Sequence, residues 1–108
     1  MSFPTEVFGN VIVVHTPEEL GSEQYGVLET FVPALERPNV IFDMDGTEII
    51  DSRGLEALLN VQDNLRDSAG ELKIATTNAT NRKILEMTRL DQQLEVFESV
   101  VEAVKSFQ

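Results

Sequence analysis

Two aspartates and a serine within VIFDMDGTEIIDS, residues 40–52, have types and spacing that could do chemistry. Asp43 and Asp45 lie two apart at the end of an apolar run. A carboxylate so placed could attack phosphorus. That chemistry would make Asp43 the nucleophile of a phosphate-transferring enzyme. Ser52 follows Asp51 where the run gives way to a helical pattern. A hydroxyl there can instead receive a phosphate delivered by another protein.

The elements that must position these residues can be read from periodicity. Val11 to Val14 is a short β-branched strand, and Phe3 to Phe8 pairs with it through the turn signal Gly9-Asn10. Thr16-Pro17-Glu18-Glu19 has capping-box spacing with proline at the first helical position, and Gly21 soon interrupts that turn. Between Ser22 and Glu36, Tyr25, Leu28, Phe31, Val32 and Leu35 recur at helical spacing, with Pro33 shortening the helix. After the turn Arg37-Pro38-Asn39, Val40 to Met44 is a buried strand. Leu55, Leu58, Leu59, Gln62 and Leu65 trace a helical face that ends near Ala69-Gly70, with glycine as the cap. Leu72 to Ala75 is the next strand, and Asn78 or Thr80 caps a helix carrying Ile84, Leu85 and Thr88. Leu94 to Phe97 is a last strand, and Val100, Val101, Val104 and Phe107 form the buried stripe of a terminal helix. Strands alternating with helices predict an α/β domain whose sheet is mostly parallel after the first hairpin.

VIFDMDGT resembles the DxDGT signature of haloacid dehalogenase-like phosphatases, and LKIAT from Leu72 to Thr76 resembles their second motif. The likeness implies a small magnesium-dependent phosphatase with Asp43 as nucleophile and Asp45 as general acid/base. The later parts are missing: after Asn78 only Lys83 and Lys105 remain as lysines, and no paired acids follow. Two aspartates on one strand do not make a full oxygen ligand set, so neither metal nor cofactor is expected.

DMDGTEIIDSRGLEALL is similar to the central motif of the STAS domain of bacterial anti-sigma factor antagonists. Asp43, Ile49, Ile50, Asp51, Ser52, Gly54 and Leu55 fall on that pattern without a gap, and the resemblance runs from about residue 8 to the end. It implies one STAS domain over residues 1–108, with a mixed, mostly parallel sheet of four to five strands packed by about four helices. It also implies a non-enzymatic binding module that engages an anti-sigma factor or serine kinase and is switched by phosphorylation at Ser52. Asp43, Asp45, Asp51, Ser52, Arg53, Gly54, Leu55, Thr77 and Asn78 would form or frame the partner surface. Gly54 would leave room for a partner or kinase to approach. Two departures stand out. The aspartate often found near Gly21 is absent or displaced, and Arg53 occupies a position that is often Ser or Thr. Other STAS settings are a lipid-transport assembly and a stress-sensing one.

Composition narrows the class. The 108 residues are 42% apolar and 25% charged, as expected of an ordinary globular domain. A formal net charge of −11 argues against direct nucleic-acid binding and favours a partner with a basic face. No run approaches the ~18–20 apolar residues of a membrane span, and MSFPTEVF has no signal-peptide features, so cytoplasmic location without membrane insertion is expected. With no cysteine, disulfides and thiolate metal sites are excluded. His15 at a strand end is expected to be structural or on the surface, and Arg82, Lys83 and Arg89 to form a solvated face. Met87 is expected in the core, and Thr76, Thr77 and Asn78 to serve a turn and cap, or to contact a partner or nucleotide.

Overall fold

The computed structural model describes residues 3–108, without the side chains of residues 22–25 and 29. Among the described residues, seven strands and four helices run in the order β1 (Thr5–Phe8), β2 (Val11–His15), β3 (Glu19–Leu20), α1 (Ser22–Ala34), β4 (Asn39–Asp43), β5 (Ile49–Ile50), α2 (Ser52–Asp67), β6 (Glu71–Ala75), α3 (Ala79–Met87), a 3₁₀ turn (Leu90–Gln92), β7 (Glu95–Phe97) and α4 (Val100–Ser106). The main sheet has the order β1-β2-β4-β6-β7. Only β1 and β2 pair antiparallel, through the expected Gly9-Asn10 turn, and the remaining pairings are parallel. The mixed, mostly parallel α/β architecture is therefore as expected. A separate two-stranded sheet joins β3 to β5.

Strand alternation assigns each residue to one of two layers. Ile12, Val14, Val40, Phe42, Leu72 and Ile74 face α1 and α2 in the larger core, while Val11, Val13, Ile41 and Ala75 face α4 in the smaller one. The same alternation puts Lys73 beneath α4. There its ammonium donates to the Ser106 hydroxyl at 2.7 Å and lies 4.1 Å from the Phe107 ring centroid. A buried cation is tolerated because hydrogen bond, ring face and the nearby Glu95 carboxylate replace its hydration.

Several local expectations give way to tertiary packing. Thr16 to Glu19 starts no helix. Glu19–Leu20 becomes β3 because the β4–β5 loop offers it a strand, and the Thr16 hydroxyl meets Thr47 at 2.5 Å instead of capping. Met87 is 74% exposed rather than in the core, since α3 turns Asn81 and Leu85 inward. Val101 is 61% exposed, and Ala103 takes the buried place expected of it. Tyr25, assigned to the inner face of α1, has a side chain outside the described residues.

The end of α2 differs in a more instructive way. Ala69, not Gly70, adopts the left-handed conformation, with φ of 60°. Its N–H bonds the Arg66 carbonyl at 3.1 Å, and the Gly70 N–H bonds the Leu65 carbonyl at 2.7 Å, which is the Schellman closure. Gly70 is needed for another reason: a Cβ there would run into the Pro38 backbone carbonyl. Exchanging the two demands gives opposite results. Ala69→Gly is expected to stabilise by a few tenths to about 1 kcal/mol by relieving left-handed strain. Gly70→Ala is expected to destabilise by about 1–3 kcal/mol through overpacking. Urea unfolding of the two variants measures both.

Candidate functional site around Ser52

Ser52 is the first residue of α2, and its side chain is exposed. Of the two cap candidates, Asp51 takes the role. It is extended, and its carboxylate accepts from the Gly54 N–H at 2.9 Å. With Asp51 as the cap, the serine hydroxyl is not needed to close the helix. The turn beneath it is fixed on the other side by β3, whose Leu20 carbonyl accepts the Asp51 N–H at 3.2 Å.

Glycine makes this junction possible. A Cβ on Gly54 would strike the Leu20 carbonyl, and one on Gly21 would strike the Asp51 carboxylate. Gly54 is buried, which corrects the expectation that it leaves room for a partner: the close neighbour is the chain's own β3. Leu55 is half-buried and packs on the larger core, so it anchors α2 from below. Arg53 is exposed, with a guanidinium nitrogen 3.4 Å from the Glu56 carboxylate.

The aspartates stand on the other side of the loop. Asp43, half-buried at the end of β4, accepts from His15 Nδ1 at 2.9 Å through one oxygen and from the Asp45 N–H at 3.1 Å through the other. His15 also meets Glu6 at 2.7 Å, so it bridges β1 and β4 in the structural role expected of it. Asp45 is exposed, and its carboxylate accepts the Thr77 N–H at 2.5 Å and the Thr77 hydroxyl at 3.2 Å. Asn78 caps α3 by accepting from the Thr80 and Asn81 N–H groups at 2.9 and 3.3 Å. Asp43, Asp45, Thr77 and Asn78 are thus committed to holding loops, while Asp51 and Ser52 meet at the start of α2. Each Asp43 oxygen accepts one hydrogen bond. Among the described residues no group of three or more histidine, aspartate and glutamate side chains could hold a metal ion.

One contributor is missing from the sequence reading. Asn81 is fully buried on α3, and its amide donates to the Met44 and Thr47 carbonyls at 3.1 and 2.8 Å. Thr47 in turn donates its hydroxyl to the Pro17 carbonyl at 2.6 Å. The loop that delivers Glu48 to Ser52 is therefore tied to α3 on one side and to the segment before β3 on the other. The available signal was an asparagine four residues before Leu85, on the inward face of a capped helix.

Comparison with known proteins bears on the family and the fold. The STAS domain model matches residues 2–103. An anti-sigma factor antagonist from Mycobacterium paratuberculosis has a similar structure, with 20% identity and a TM-score of 0.84 over 97% of this chain and 92% of that one. The Bacillus cell fate determinant SpoIIAA in its phosphorylated form gives 19% identity and a TM-score of 0.69 over 99% and 100% of the two chains. A sulfate transporter family protein from Wolinella succinogenes gives 17% and 0.82 over 94% and 87%. No curated protein sequence matches significantly.

The junction makes its own demands on stability. Asp51→Ala removes the cap and is expected to cost about 1 kcal/mol. Gly54→Ala forces β3 from α2 and is expected to cost about 1–3 kcal/mol. Chemical denaturation ranks them, and amide exchange at residues 48–55 should rise first in Gly54→Ala.

Proposed function

The chain belongs to the STAS domain family, and from that membership we propose that it is a single-domain regulatory binding module. In this reading it is an anti-sigma factor antagonist of the cytoplasm that docks on an anti-sigma factor or serine kinase and catalyses nothing itself. Phosphorylation of Ser52 is its off switch. The observation that carries the proposal is the exposed Ser52 hydroxyl at the first residue of a helix whose start is locked from beneath. The solved anti-sigma factor antagonists and phosphorylated SpoIIAA of the same fold support it.

Local energetics favour a switch that acts on docking rather than on folding. A phosphate adds about −1.5 to −2 charge. The positive end of the helix returns ~0.3–1 kcal/mol to an anion. Each nearby carboxylate at ~8 Å costs on the order of 1 kcal/mol at an effective dielectric near 40, before salt screening. Asp51 and Glu48 are exposed within four residues of Ser52. The repulsion matches or exceeds the gain, and an exposed site tolerates it. A partner pressed against Ser52 does not. Asp51, Ser52 and Arg53 form the docking edge, Leu55 supports it, and Asp43, Asp45, Thr77 and Asn78 fix the loops behind.

The sulfate transporter family neighbour favours a second reading, a STAS subunit in a transport or stress-sensing assembly. There, docking would not depend on the state of Ser52.

The test is calorimetric binding to the anti-sigma factor or serine kinase encoded beside this chain's gene. Ser52→Ala is expected to bind within about threefold of wild type. The phosphorylated chain and Ser52→Asp are expected to bind at least about tenfold more weakly, near 1.4 kcal/mol. Equal affinity for all four forms would discard the switch and favour the assembly reading.

A further inference from the structure

Charge is distributed very unevenly along the chain. Residues 1–52 hold ten acidic side chains against one basic, a net −9, whereas residues 53–108 hold nine against seven, a net −2. The fold gathers part of the acidic half beside Ser52. In the β3–β5 ladder Glu19 stands opposite Ile49, and Leu20 opposite Ile50. Leu20 and Ile50 turn inward, so Glu19 and Ile49 share the outer face. The N–H groups of Glu48 and Ile49 both bond the Glu18 carbonyl, at 2.8 and 3.1 Å, which keeps Glu18 and Glu48 on adjoining backbone.

Ile49, 54% exposed, lies across from Glu19 and next to Glu48. A β-branched side chain held out on a paired strand has little rotamer freedom left to lose on binding. The neighbouring Glu18, Glu19 and Glu48 are exposed as well. An apolar knob with a polar rim is the usual anatomy of an interface centre.

We propose that Ile49 and the rim of Glu18, Glu19 and Glu48 form a docking patch for a protein surface in which a small apolar pocket is edged by lysine or arginine. The inference rests on the reading of Ser52 as the edge of a binding site and names the chemistry of the partner that binds there. Charge complementarity selects the occupant: a second copy of this chain would oppose acid to acid, and an acidic partner would be repelled during approach. Ile49 supplies the buried contact that slows dissociation, and the rim supplies orientation and association rate. A phosphate on Ser52, two residues beyond Ile50, lies at the margin of the patch and need not disturb Ile49 itself.

The test uses the full chain and a displayed dodecapeptide library as probe. Selected peptides are expected to combine Lys or Arg with Leu, Ile or Phe, and to lose at least about tenfold in affinity between 50 mM and 300 mM salt. Ile49→Ser and the double variant Glu18→Lys/Glu19→Lys should each weaken them by about tenfold or more. The same charge change around the start of α4, Glu98→Lys just before its cap and Glu102→Lys in its first turn, should alter binding less than about threefold, and melting temperatures identify any variant that fails to fold. The proposal is overturned if no peptide is enriched, if the peptides lack basic residues, or if the α4 variant weakens them as much as the rim variant. Peptides that need Ile49 but bind wild type and Ser52→Asp equally would keep the patch and remove the switch. A partner that responds to Ser52 but not to Ile49 or the rim would do the reverse.

Discussion

The site depends on one close approach: the Cα of Gly54 against the carbonyl of Leu20. Any side chain at position 54 would push α2 off the small sheet. That contact brings the start of a sixteen-residue helix onto a two-residue strand, and everything at the site is placed by it. Asp51 can cap because β3 holds its backbone, and Ser52 is free because Asp51 caps. A two-stranded ladder this short has little stability alone. It persists because Leu20 and Ile50 reach the larger core and because Thr47 and Asn81 fix the preceding loop.

Polar groups carry more of this architecture than the apolar pattern reveals. Thr16, Thr47, Thr76 and Asn81 are all buried near the carboxyl ends of the parallel strands. Three of the four, Thr16, Thr47 and Asn81, join the loop to its neighbours through hydroxyl and amide bonds. Buried polar contacts of this kind fix a loop in one arrangement, since each alternative leaves a donor or acceptor unpaired. Asp43 and Asp45 belong to the same system. Their spacing resembles that of a catalytic pair, and in the fold they brace loops through His15, the Asp45 amide and Thr77.

The α/β order and the main strands were legible because they rest on periodicity and turn chemistry. Val11 to Val14, Leu72 to Ala75 and the Asn78 cap all follow from local residue types. The short strands were not. Glu19–Leu20 has no strand pattern of its own and exists only through its partner Ile49–Ile50. Single exposures were equally hidden: Met87 and Val101 sit at helical positions that fit a buried stripe, and only the packed neighbours decide which face wins. At the site, Ser52 was legible from its place before a helical face. The burial of Gly54 was not, because a glycine gives no sign of which backbone lies against it.

The lock between β3 and α2 also bears on timing. A helix start held at Gly54, Gly21 and Asp51 leaves little slack for its first residue to shift. Under the proposed reading, a charge added at Ser52 would therefore be felt by a docked protein without a refolding delay, and the pace of the response would be set by the attachment and removal of that charge.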